Sequence, residues 1–194
     1  MSVDTSRLTD EVHASVTRGR TPADRGWITG HGVAVVRDAA GQVTQEVEFT
    51  NLVTQVGDQY YGDAGAALNA NATVTAPDPV TGMRLGDDNT AVAKTGAGAA
   101  IVSYVSGSNN AIDAGYPTSA LNGAARRITW RTTWAAGDAT ANGIAEVVIT
   151  NEVGLTDVAG SAANTISRAL LSPVVNKAAG DSLQITWHHD TTGA

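Results

Sequence analysis

Short runs in which apolar and polar residues alternate fill the chain from Trp27 onward, and clusters of Gly, Asn and Asp separate them. The clearest run places four alternate residues on one face, namely Ile128, Trp130, Thr132 and Trp134. Successive side chains of a β-strand point to opposite faces, so alternation over a few residues predicts a strand with one buried face. A chain built mainly of such runs is predicted to be a mainly β protein.

This pattern predicts about eight strands and at most two short helices. We place the strands within residues 31–37, 42–50, 82–86, 99–105, 127–134, 144–150, 165–171 and 182–188, and a long loop over 107–123. The first two strands should form a hairpin, in which Asp38 opens the turn and Gly41 supplies the positive φ that closes it. The buried face of its second strand should carry Val43, Val47 and Phe49.

Residues 27–194 are therefore predicted to form one antiparallel β-sandwich domain, jelly-roll-like, with one short helix. The helix is expected to run from Leu52 to about Tyr61 and to be capped by Asn51.

Residues 1–26 differ from the rest because they are polar and charged. Leu8, Val12 and Val16 recur at helical spacing, which gives only a thin apolar stripe. One interpretation is a mobile or loosely docked tail. The other is an extended N-terminal arm that lies on a neighbouring subunit, in which case these three residues bind the partner.

Charge and composition exclude several classes of function. The chain has 12 Lys and Arg against 19 Asp and Glu, a net charge of −7, which argues against binding to nucleic acid or to anionic membranes. It has no Cys, so disulfides, thiol nucleophiles and Cys-type zinc sites are excluded. No run approaches a membrane span and the start lacks a signal-peptide pattern, so synthesis in a cytoplasm is expected.

Few large side chains are present to build a core. The chain is 42% hydrophobic but only 5% aromatic, so Ala and Val must supply most of the buried surface. Small side chains bury little apolar area each. We therefore expect oligomerisation, as a dimer or trimer, or docking on another protein to add stability.

Candidate metal sites are weak. His188 and His189 are neighbours on a predicted strand, so their imidazoles should point to opposite faces and not share one ion. The run Asp87-Asp88-Asn89 offers oxygen ligands but lacks the spaced carboxylates of a calcium loop, which favours a turn bonded to its own backbone. We predict no metal and no cofactor.

Catalytic residues are equally hard to find. Glu146 is the one acid inside a strongly apolar run, and a structural ion pair is favoured over a catalytic acid, with Arg126, Arg127 or Arg168 as the partner. The indoles of three Trp residues fall on apolar strand faces, where core packing is the default and a carbohydrate-stacking platform the alternative; these are Trp130, Trp134 and Trp187.

The order of several short motifs is more informative than any one of them. They are Asn51-Leu52-Val53-Thr54, Ile144-Ala145-Glu146, Ser167-Arg168 and the closing stretch from Lys177 to Trp187 with Gly180-Asp181 and Ile185-Thr186-Trp187. In this order, over about residues 30–190, the chain resembles a group of small virion structural proteins of tailed bacteriophages. The chain departs from their pattern at Asp87-Asp88 and at His188-His189-Asp190.

The resemblance implies a non-enzymatic virion protein, and the group includes head-decoration, minor structural and tail-fibre proteins. The leading hypothesis is a capsid decoration (cement) protein on the outer surface of the head, with the major capsid protein and copies of itself as partners. The second is a tail-fibre or baseplate component whose loops 106–125 and 152–164 adhere to a host-surface glycan or protein. A glycan hydrolase using Glu146 is the third.

Overall fold

A computed structural model describes residues 28–156 and 161–192. Strands make up 48% of these described residues. One α-helix is present in the described part, α1 (Gln55–Ala66). The strands there are β1 (Ile28–Arg37), β2 (Val43–Val53), β3 (Gly82–Gly86), β4 (Asn110–Ala111), β5 (Thr118–Asn122), β6 (Ala125–Trp134), β7 (Ala141–Thr150), β8 (Thr165–Lys177) and β9 (Ser182–Thr191).

These strands form one antiparallel sheet that curls into a half-barrel. Their order across the sheet is β4-β3-β7-β8-β2-β1-β9-β6-β5. The prediction of a mainly β, antiparallel protein with one helix is therefore confirmed. Within the described ranges the strands belong to one continuous sheet, and the two separate sheets of a sandwich are not seen.

The β1–β2 hairpin forms where the sequence predicts it. Asp38 Oδ1 accepts two backbone N–H groups of the turn at 2.9 Å, and Gly41 has a φ of +80°. Val47 and Phe49 are buried as expected. Val43 is 48% exposed, so its predicted burial is wrong, because it lies beside the turn where the strand register shifts.

The core fills the inside of the curl. The predicted packing of Trp130, Trp134 and Trp187 there is confirmed, since none of them is more than 3% exposed. Trp134 Nε1 donates to the Ser108 carbonyl at 2.8 Å. Around the indoles lie small and branched side chains from β1, β2, β3, β7, β8 and β9. The indoles are therefore the largest apolar side chains of this core, in a chain that has a single Phe.

Helix α1 begins four residues after its predicted cap. β2 continues through Val53, and Thr54 is the N-cap, its Oγ1 accepting the Gly57 N–H at 3.0 Å. The predicted cap, Asn51, lies in the strand instead. Among the described residues, no helix is long and apolar enough to cross a membrane.

Two predicted elements differ in the structure. Residues 99–105 are buried in part but form no strand; a short 3-10 turn at Ala97–Ala99 leads into irregular chain with one bridge between Tyr104 and Gly86. The predicted loop 107–123 contains β4 and β5. The proposed arm, residues 1–26 with Leu8, Val12 and Val16, lies outside the described residues.

Candidate functional site

The two faces of the sheet have different environments in β2, β1, β9 and β6. One face packs on the core. The opposite face of these four strands carries half-exposed or exposed side chains, and we call it the open face. On β3, β7 and the first part of β8 both faces are buried. The open face of these four strands is therefore the largest continuous part of the described sheet where strand side chains are exposed to solvent.

Four residues in register form a row across the open face. His31 of β1 pairs with His188 of β9, and their outer neighbours are Thr50 of β2 and Thr129 of β6. The imidazole centroids of the two histidines are 5.1 Å apart, with a tilt of 43° between the rings. Thr129 Oγ1 lies 2.9 Å from His188 Nδ1. The row thus places two imidazoles side by side between two hydroxyls.

A groove of about 590 Å³ runs beside this row. On the core side of β1, a Cβ at Gly32 would lie 2.4 Å from Phe49 Cζ, so the close approach of this ring requires glycine there. The Phe49 ring in turn packs edge-on against Trp187, with centroids 5.1 Å apart. The groove is lined by His31, Gly32, Val33, Glu48, Phe49, Thr50 and His188. It can hold a small polar ligand or part of a partner surface.

An ion pair lies next to the row. Arg127 donates two hydrogen bonds to Asp190, at 2.8 and 2.7 Å, and these hold the pKa of Asp190 below its usual range. Burial lowers the pKa of His188, and the charges of Arg127 and His31 lower it further. A neutral imidazole at His188 follows at neutral pH.

His189 points into the core, away from His188, so the predicted opposition of the two side chains is confirmed. Its Nε2 accepts Trp187 Nε1–H at 3.0 Å, and Asn51 Nδ2 is also 3.0 Å away. The indole nitrogen only donates, so the proton of neutral His189 sits on Nδ1 and faces Tyr61 Oη at 2.5 Å. Burial lowers the pKa of His189 to about 3 and raises that of Tyr61.

This buried network was not predicted from the sequence. Asn51 Nδ2 also bonds Ser167 Oγ, which donates to the Leu52 carbonyl at 2.8 Å. The network therefore joins α1, β2, β8 and β9. The alternation of apolar and polar residues in the last strand indicates that His189 faces the core. No local sequence pattern shows that Asn51 of β2 and Tyr61 of α1 contact it there.

Glu146 is fully buried and pairs with Arg168, so the predicted structural ion pair is confirmed with one of its three candidate partners. Arg168 Nε and Nη2 contact Glu146 Oε2 at 2.8 and 2.7 Å. The other carboxylate oxygen accepts the N–H groups of Val102 and Ser103, both at 3.0 Å. Arg168 Nη1 also donates to two carbonyls of the segment 90–98. Both carboxylate oxygens are thus used within the fold.

The other candidate residues have structural surroundings. Asp88 Oδ1 accepts the Thr90 N–H at 2.6 Å, which confirms the predicted turn at residues 87–89. Across 28–156 and 161–192, no three His, Asp or Glu side chains gather as metal ligands. The three predicted core Trp residues are buried, so they offer no stacking surface to a carbohydrate.

Comparison of the chain with protein-family models, with curated proteins and with solved structures finds no match.

Proposed function

We propose that this chain is a non-enzymatic structural protein of a phage virion, acting as a decoration protein on the outer surface of the head. The observation that carries the proposal is the placement of Glu146. This acid, for which the sequence favours a structural ion pair over a catalytic role, lies in a buried pair with Arg168, and both of its oxygens are bonded. That arrangement supports a role in holding the fold.

Two further features support the proposal. The order of the strand motifs resembles that of small virion proteins, and the net charge of −7 suits an outer surface, since packaged DNA repels an acidic protein. The open face of β2, β1, β9 and β6 offers a half-exposed surface for contact with capsid subunits. The interpretation of the half-barrel as a jelly-roll-like sandwich belongs to the same proposal.

The copy number and position of the chain in purified particles test this function. Quantitative mass spectrometry against the major capsid protein should give hundreds of copies per particle, and electron cryomicroscopy should place them on the head. Heads assembled without the chain should lose DNA at a lower temperature than wild-type heads. A handful of copies, all at the tail, would refute the decoration role.

A tail-fibre or baseplate component is the alternative. Tyr116 favours it, because its ring lies under the Arg131 guanidinium at 4.5 Å in the segment between β4 and β5 and is partly exposed. A tail role predicts copies in small multiples of three or six, and loss of host adsorption when Tyr116 is replaced by Ala. Normal adsorption of the Tyr116→Ala particle would remove this alternative.

A further inference from the structure

The paired imidazoles of the open face have a geometry that the proposed function does not use. His31 and His188 occupy directly opposed positions on neighbouring antiparallel strands, and their side chains line the same groove. We propose that these two histidines bind one divalent transition-metal ion of the class preferred by imidazole, represented by Zn²⁺. The proposal does not depend on a place in a virion.

The spacing of the rings fits a shared ion. With Zn–N bonds of about 2.0 Å and tetrahedral angles, the centroids of two imidazoles on one ion lie about 5 Å apart. The observed centroid distance is 5.1 Å. Because the two residues belong to adjacent strands in fixed register, the sheet itself holds them at this separation in the absence of metal.

Both imidazoles have a nitrogen available to a metal ion. His188 Nδ1 is 2.9 Å from Thr129 Oγ1, and in the tautomer that carries its proton on Nδ1 this proton is donated to the hydroxyl and Nε2 keeps its lone pair for a metal ion. In metal sites, the second ring nitrogen of a ligating histidine is commonly bonded to an oxygen in this way. His31 has no hydrogen-bond partner among the described residues, so its ring needs no bond to be broken.

The surroundings tolerate a cation. Arg127 and Arg131 lie on β6 on either side of Thr129, and their charges are balanced by ion pairs with Asp190 and Asp113. Glu48 lines the same groove and adds a negative charge to this part of the surface. The described residues contain no third ligand in place, so water completes the coordination of the ion. Imidazole with water suits Zn²⁺, Ni²⁺ and Cu²⁺, and excludes Mg²⁺ and Ca²⁺, which prefer oxygen ligands.

Isothermal titration calorimetry with ZnCl₂ on the full chain without an affinity tag tests the site. The wild type should take up one Zn²⁺ per chain, and MgCl₂ should give no binding. His31→Gln and His188→Gln should each weaken Zn²⁺ binding about tenfold or more, since loss of an outer-shell partner alone costs this much. His13→Gln is the matched control and should bind as the wild type does. Circular dichroism checks that each variant is folded.

Thermal unfolding provides the second readout. An ion that bridges β1 and β9 binds the folded state only, so excess Zn²⁺ should raise the Tm of the wild type and of His13→Gln but not of the two site variants. The proposal is overturned if the wild type shows no saturable uptake, or if both site variants bind as tightly as the wild type. Equal weakening in His13→Gln would place the ion elsewhere and would overturn it too.

Discussion

At the scale of single residues, the charges buried in this protein hold irregular chain against the sheet. Glu146 and Arg168 together bond the backbone of segment 90–103, and a second buried guanidinium, that of Arg84, donates to Asn109 Oδ1 at 2.6 Å and contacts Glu152. A buried ion pair adds little net stability, but removing one partner leaves an uncompensated charge. The intact pairs therefore contribute more to where each loop packs than to net stability, whereas the loss of one partner is costly.

The first prediction concerns this pair. Glu146→Gln should lower the free energy of unfolding by about 3–5 kcal/mol, because Arg168 then stays buried without a counter-charge. The double variant Glu146→Gln, Arg168→Met should lose less than the sum of its two single variants, as urea unfolding would show. The control is the pair Lys94–Asp58, whose side chains are about half exposed, where Asp58→Asn should cost under about 1 kcal/mol. Equal costs for Glu146→Gln and Asp58→Asn would contradict the prediction.

The second prediction is a pH dependence that comes from His189. The folded state holds this histidine neutral, with a pKa of about 3, whereas the unfolded chain takes up a proton near the ordinary pKa of about 6.5. The unfolded state therefore binds more protons between these values, and stability falls as pH is lowered, by up to about 1.4 kcal/mol per pH unit.

Urea unfolding at pH 6.5, 5.5 and 4.5 measures this slope. His189→Gln should reduce the slope of unfolding free energy against pH by the equivalent of about one proton. The matched variant His188→Gln, at a half-exposed position, should keep most of the slope. The interpretation fails if the wild type and His189→Gln lose stability in parallel over this range.

At the scale of elements, the sequence predicted strands wherever one face is buried and the other is wet. The segment 182–188 alternates, and β9 forms there. The segment 99–105 is also apolar, yet the N–H groups of Val102 and Ser103 bond the Glu146 carboxylate, and only a single bridge, between Tyr104 and Gly86, pairs the described part of this segment with a strand. The apolar composition of this segment thus predicted its burial correctly, but it did not show that the segment forms no regular β-strand. The start of helix α1 was mispredicted for a similar reason. β2 continues to pair through Val53, so the N-cap is Thr54 and not Asn51.

The third prediction tests the cap of α1. Thr54 Oγ1 accepts the Gly57 N–H and donates to the Thr165 carbonyl at 2.5 Å, so it both caps the helix and ties it to β8. Thr54→Ala should destabilise the protein by about 1–2 kcal/mol in urea unfolding. Thr54→Ser keeps the hydroxyl and should retain most of that stability. A Thr54→Ser variant as unstable as Thr54→Ala would show that the methyl group, and not the cap, is responsible.

At the scale of the whole molecule, the sequence could not predict how the strands join. β1 lies between its hairpin partner β2 and the last strand, β9, which is distant in sequence. That pairing creates the His31–His188 row, so the candidate site could not be found before the register was known. It also completes the core, because Trp187 of β9 packs against Phe49 of β2 across Gly32 of β1.

The pairing of β1 with β9 leads to the last prediction, which concerns residues 1–26. The described residues form a continuous core to which both β1 and β9 contribute. These two strands, which are far apart in the sequence, pair with each other. Deleting residues 1–26 should therefore leave a folded domain with a Tm close to that of the full chain. If Leu8, Val12 and Val16 bind neighbouring subunits, the deletion should reduce occupancy on purified particles and lower head stability. The triple variant Leu8→Ser, Val12→Ser, Val16→Ser should reproduce the loss at full chain length, whereas full occupancy in both variants would show that the segment is not an arm.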